Sequence, residues 1–139
     1  MSGSFTVLSH TADTGIAVTA DTFGELLEWA ARGMFALMYD LGDADPEGSI
    51  TVEVAASTAE DLLVDVLSEL LYLSEAEDVI PCRFDVVEAD PTSARVTIGV
   101  TRMRPELLHG PPIKAVTYHE LLVEAQDDGT WQARVVFDV

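Results

Sequence analysis

Two capped amphipathic helices constrain this sequence more than any other feature. Thr22-Phe23-Gly24-Glu25 puts a hydroxyl at an N-cap and a carboxylate three residues on, the spacing of a capping box. Apolar residues then recur at Phe23, Leu26, Leu27, Ala30, Met34, Leu37 and Met38, with Ala31 and Phe35 widening the face. That recurrence is one buried side of a helix. Glu25 and Glu28 fall in its first turns, where the helix dipole favours negative charge. The Gly, Asp and Pro of segment 40–48 end it. The second helix opens at Ser57-Thr58-Ala59-Glu60, again with capping-box spacing, and carries Leu62, Leu63, Val66, Leu67, Leu70, Leu71 and Leu73.

The remaining segments read as strands that could cover those faces. Phe5–Leu8 and Ile16–Ala20 flank a turn-like stretch at 9–15, and Ile50, Val52 and Val54 alternate with Thr51 and Glu53. Phe84–Glu88 and Arg95–Met103 are separated by the turn cluster Ala89-Asp90-Pro91-Thr92. In the second of these, Val96, Ile98 and Val100 face one way, with Arg95, Thr97 and Thr101 as the polar positions. Lys114–Ala125 and Trp131–Val139 are joined by a segment whose Asp128-Gly129 signals a hairpin. Alternation along the last strand puts Trp131, Ala133, Val135 and Phe137 on one face and Val136 on the other. The predicted fold is a single α+β domain over 1–139, two helices packed on a mostly antiparallel sheet. The proline-rich segment Arg104–Ile113 reads as a loop and as the expected mobile part.

Charge narrows the partners. With 25 acids, seven bases and a net charge of −18, the chain has few groups with which to displace counterions from nucleic acid phosphates. Direct nucleic acid binding is not expected, and an anionic membrane would repel such a surface. The imbalance is uneven: residues 1–80 hold sixteen acids and only Arg32, while residues 81–139 hold nine acids and six bases. A single cysteine, Cys82, excludes an intrachain disulfide and a Cys-cluster zinc site. Its neighbours Ile80, Pro81 and Phe84 suit a small buried hydrophobe rather than a nucleophile. No targeting stretch or apolar membrane span is read in the sequence, so the expected compartment is the cytoplasm.

Three places hold groups capable of chemistry. Ser9-His10-Thr11-Ala12-Asp13-Thr14-Gly15 gathers a His, an acid and hydroxyls in the turn after the first strand, where an Asx-type turn is the structural alternative. The terminal Phe137-Asp138-Val139 sets a side-chain carboxylate beside the α-carboxylate of Val139. If Asp13 approaches that strand end, three oxyanions meet without a cationic partner, an arrangement that asks for a hard divalent cation. Lys114-Ala115-Val116-Thr117-Tyr118-His119 carries the only lysine. Read as a strand, it puts Lys114, Val116 and Tyr118 on one face and His119 on the other with Ala115 and Thr117. Lys114 suits a carboxylate or a phosphate, and His10 and His119 are candidate ligands or proton carriers. Asp65 and Glu69, four apart on the second helix, offer two further carboxylates, which a solvated helix edge would also explain.

At these residues the chain resembles the archease family. The matching segments are His10-Thr11-Ala12-Asp13 with Gly15, Ala31-Arg32-Gly33-Met34-Phe35, Leu62-Leu63-Val64-Asp65 through Glu69-Leu70-Leu71-Tyr72, Lys114 to His119, and Val136-Phe137-Asp138-Val139, in order along nearly the whole chain. The sequence departs from the family pattern at Ser9 and Thr14 and, in the second helix, at Val66 and Ser68. The resemblance implies an accessory protein, not an enzyme. Archeases assist the RtcB-type RNA ligase of tRNA splicing and RNA repair, promoting the ligase–GMP intermediate and multiple turnover. It also implies a divalent cation held by Asp13, Asp138 and Val139, with calcium the expected ion and magnesium or manganese the alternatives. His10, Lys114, His119, Asp65 and Glu69 stand as accessory candidates. Two other functional classes fit the residues: a small metal-dependent hydrolase using Asp13, Asp138 and a His, and a general protein-binding module or chaperone.

Overall fold

The computed structural model describes residues 3–9, 14–42 and 44–139. In chain order the elements are β1 (Gly3–Ser9), β2 (Thr14–Ala20), α1 (Phe23–Ala36), β3 (Gly48–Ala55), α2 (Ala59–Glu77), β4 (Val79–Asp90), β5 (Ser93–Arg102), β6 (Ala115–Val116), β7 (Leu122–Ala125) and β8 (Trp131–Asp138), with a 3-10 turn at Pro105–Leu107. The α+β class holds, with two sheets where the sequence suggested one. Both are antiparallel throughout: β1-β2-β8, with β6 and β7 sharing the far edge of β8, and β3-β5-β4. Both helices touch both sheets, α1 against β1, β2, β8 and β4, α2 against β6, β7 and β3, β4, β5.

Helix α1 starts where the capping box predicts. The Thr22 side chain accepts the Glu25 backbone N–H at 3.1 Å, which satisfies one of the unpaired donors of the first turn. Helix α2 is capped one residue later than the sequence suggested: Thr58, not Ser57, accepts from Asp61 N–H at 3.1 Å. Aromatic contacts fasten α1 to each sheet. Phe35 stacks on Phe84 of β4 with ring centres 5.8 Å apart, and Phe23 meets Trp131 of β8 edge-on at 5.0 Å. Gly33 admits the first hairpin, since a Cβ there would lie 3.0 Å from Ile16 and from the Phe5 ring. Phe35, Leu26, Leu67, Leu70, Ile98, Val135 and Phe137 are fully buried in one continuous core.

Three local readings change. Lys114–Ala125 is not one strand. It breaks into β6 and β7 because Thr117 gives both its N–H (3.1 Å) and its hydroxyl (2.8 Å) to the Val136 carbonyl. The chain then turns through Glu120, whose φ of 53° is left-handed. Thr101 is fully buried rather than a solvated polar position, because its hydroxyl donates to Glu47 at 2.6 Å.

The segment Arg104–Ile113, expected to be mobile, is tied down along its length. Asp40 N–H donates to the Leu107 carbonyl at 2.8 Å, and the N–H groups of His109 and Gly110 donate to the Met38 carbonyl at 2.8 and 3.2 Å. Ile113 N–H reaches the Met38 sulfur at 3.3 Å, and the Ile113 side chain is buried. Glu47 clamps the start of this segment. It accepts from Thr101, from the Arg102 backbone, and from the guanidinium groups of Arg102 and Arg104 at 3.1 Å each. The Thr101 hydrogen bond, then those from Arg102 and Arg104, hold its carboxyl down to about 2.

Two outcomes follow from these contacts. Gly110→Ala drives a Cβ into the Leu37 carbonyl oxygen, so thermal denaturation is expected to show a lowered midpoint, while Gly42→Ala, open around its Cβ but at a φ of 52°, loses less. Because the folded pKa of Glu47 is depressed, its contribution is complete above the ordinary value of 4.5 and is lost as pH falls towards 2. Glu47→Gln is therefore expected to melt below the unaltered chain at neutral pH, with the gap closing on acidification across that window. A gap that is constant with pH sinks the assignment.

Candidate functional site

The end of β8 is held from both sides. Phe137 pairs with Thr14 of β2 and with Val116 of β6, and Asp138 pairs with Ala115. Lys114 N–H donates to the Asp138 carbonyl at 2.7 Å. Phe137 is fully buried and Val139 packs against the core, so the strand does not fray. Alternation turns the Asp138 side chain to solvent, and it has no ion-pair partner among the described residues. Two of the sequence-nominated residues, Asp138 and Lys114, thus share one corner. Asp13 and His10 lie outside the described residues. Among the described residues, no three His, Cys, Asp or Glu side chains converge on a point where they could hold a metal. The donor chemistry at the β8 end still suits a hard cation, because its groups are oxygen carriers on a pinned strand.

Lys114 continues into a groove of about 320 Å³ between β6 and α2, lined by Ser68, Leu71, Tyr72, Glu75, Lys114, Ala115 and Val116. Lys114 is exposed and in no ion pair among the described residues. His119 falls in the turn after β6 rather than on a strand face. Its imidazole is exposed, 3.9 Å from the Glu120 carboxylate, and the His119 backbone N–H donates to Thr117 Oγ1 at 3.3 Å. Asp65 and Glu69 are both exposed on α2. Asp65 faces the segment after β6, where its charge acts on Tyr118, whereas Glu69 does not line the groove. Cys82 is half-buried, and burial pushes its thiol pKa up, away from nucleophilic use.

Sequence reasoning missed the residues that join α2 to the segment after β6. The Tyr118 hydroxyl donates to Asp61 Oδ1 at 2.8 Å. That bond, with burial and the charges of Asp61 and Asp65 adding, raises the phenol above the usual tyrosine range. Asp61, Asp65, Ser68, Tyr72 and Glu75 recur at alternating spacings of four and three, which is one stripe of a helix. The spacing was legible; that β6 runs beside it was not.

The sequence matches the model of the Archease protein family (MTH1598/TM1083) over residues 5–139. The chain belongs to the archease family. It is 35% identical over 136 residues to the protein archease of Methanopyrus kandleri, covering 95% of this chain and 96% of that one. It is 36% identical over 137 residues to the archease of Methanosarcina mazei, covering 95% and 93%. Among solved structures, Methanobacterium thermoautotrophicum protein 1598 superposes with a TM-score of 0.82 at 28% identity, covering 97% of this chain and 98% of that one. The Thermotoga maritima archease, described as a possible chaperone, shares the fold with a TM-score of 0.65 at 24% identity, covering 95% and 94%. No helix among the described residues of this archease is long and apolar enough to cross a membrane.

The Tyr118–Asp61 bond is directly testable. Asp61→Asn is expected to return the phenolate titration of Tyr118 towards the ordinary tyrosine value, followed by absorbance with Tyr118→Phe as the reference. An unchanged high titration means Asp61 is not the cause.

Proposed function

We propose that this chain is an accessory protein of an RtcB-type RNA ligase, acting in the cytoplasm to promote ligase guanylylation and multiple turnover in tRNA splicing or RNA repair. The observation that carries the reading is membership of the archease family across residues 5–139. The charge distribution supports it. A ligase that binds RNA and nucleotide presents a basic rim, and the strongly acidic part of this chain is complementary to that rim and speeds encounter.

In the same reading, Asp13, Asp138 and the carboxylate of Val139 hold a divalent cation, calcium first, with magnesium or manganese as alternatives. A cation there neutralises the clustered carboxylates. Support comes from the pinned end of β8, from the Asp138 side chain, which has no ion-pair partner among the described residues, and from the pairing of Phe137 with Thr14, the residue that follows Asp13. Lys114, whose N–H meets the Asp138 carbonyl, and His119, in the turn after β6, are available to nucleotide phosphates, and His10 belongs to the segment that carries Asp13. The description of the Thermotoga maritima protein as a possible chaperone favours a second reading, a general binding module.

The test is RNA joining by the ligase of the same organism under single- and multiple-turnover conditions, with calorimetric titration of calcium alongside. Asp13→Ala, Asp138→Asn and a chain lacking Val139 are each expected to weaken calcium binding by about tenfold or more and to abolish stimulation of multiple turnover. Variants that stimulate as well as the unaltered chain end the cation mechanism. Phosphatase or nuclease turnover by the isolated chain favours a hydrolase, and capture of many unrelated proteins without the ligase favours the binding module.

A further inference from the structure

The bases of this chain are spent unevenly. Arg32 pairs with Glu28, Arg83 with Asp45, Arg95 with Glu53 and Glu88, and Arg102 and Arg104 with Glu47. Helix α2 has no such compensation. Its carboxylates Glu60, Asp61, Asp65, Glu69, Glu75 and Glu77 are in no ion pair among the described residues.

Unpaired acid alone is an ordinary solvated helix face. Here it borders a groove and two large exposed aromatic side chains. Tyr72 is 63% exposed and Tyr118 57% exposed, and each lies along the line where α2 meets the segment 114–118. The stripe Asp61, Asp65, Ser68, Tyr72, Glu75 forms one wall of that line, and Lys114, Ala115 and Val116 form the other beside Tyr72 and Glu75. A tyrosine ring attracts a guanidinium over its face, and neighbouring carboxylates accept its N–H groups.

We propose that this face of α2, with Tyr72 and Tyr118, is a docking surface for an arginine-rich segment of a protein partner. The inference rests on the reading above, in which that partner is the ligase. The stripe from 61 to 75 rises about 21 Å at the helical repeat, a length that about six or seven residues of extended chain cover. Guanidinium groups of the segment stack on the two tyrosine rings and bond the carboxylates between and beyond them. Lys114, at one end of the groove, repels a cation there and so sets the direction of the segment away from β6.

The first test uses an octa-arginine peptide titrated into the isotopically labelled full chain and read by amide NMR shifts. The largest shifts are expected in 61–75 and 114–118, with Lys114→Gln altering those at the groove end. The variant Asp61→Asn/Asp65→Asn/Glu75→Gln is expected to weaken peptide affinity by about tenfold or more, while Asp85→Asn/Glu106→Gln/Asp127→Asn, which removes the same charge elsewhere, changes it by less than about threefold. Tyr72→Ala adds a loss that charge removal cannot mimic and that persists at high salt. Shifts centred on another face, or equal effects of the two triple variants, overturn the proposal. The second test repeats the two triple variants with the ligase. If the unaltered chain does not stimulate the ligase, the functional reading fails while the peptide result still decides the surface. If the peptide maps to α2 but ligase binding ignores the α2 variant, the ligase is not the occupant and the proposal as stated fails.

Discussion

Helix α1 wedged between two sheets is the constraint on which the rest of the molecule depends. Helix α1 has apolar surface on more than one side: Phe35 reaches Phe84 in β4, and Phe23 reaches Trp131 in β8. Burial of these aromatic side chains, within a core that is mostly Leu, Ile and Val, helps to fix where each sheet stands. Gly33 is part of the same wedge, because a Cβ there would press on Ile16 and the Phe5 ring at about 3.0 Å.

Strand β8 carries that constraint to the site. It is paired with β2 on one side and with both β6 and β7 on the other. The break between β6 and β7 costs the ladder a few bonds, but Thr117 recovers two of them on the Val136 carbonyl. The break also swings Tyr118 onto Asp61 of α2. One strand therefore holds Asp138 in register with β6 and, through β6, brings the groove of Lys114 against the helix. The Glu47 clamp and the backbone bonds to Met38 do similar work for the segment that leads into β6, so that Ile113 enters the core and Lys114 leaves it at a defined point.

Much of the fold was legible locally. The Thr22 cap, the apolar stripes of both helices, the Asp90 turn with its bonds to Thr92 and Ser93, and the Asp128-Gly129 hairpin each depend on residues within a few positions of one another. The misses have a common cause. Ser57 and Thr58 are both capping residues, and the structure uses Thr58, whose side chain accepts from Asp61 N–H. Thr101 is polar and sits in an alternating strand, yet Glu47 and Arg104 cover it. Three prolines and a glycine between 104 and 113 suggest freedom, but the segment's backbone groups find partners on Met38 and Asp40, just after α1. At the site, the candidates Asp138 and Lys114 were legible as residue types, while Tyr118 on Asp61 and the Tyr72 groove were not, because they join positions far apart in sequence.

By itself the sequence determined the elements, the apolar faces to be buried, the family and the excess of acid over base. These follow from short-range spacing and residue chemistry, which do not depend on the path of the chain. The tertiary structure alone decided that the strands divide into two sheets around the helices, and that Arg32, Arg83, Arg95, Arg102 and Arg104 pair with carboxylates outside α2. It also decided that the segment after β6 lies along that helix. Strand pairing and ion pairing are contacts between distant residues, and local patterns carry no information about which of several compatible partners a residue will meet.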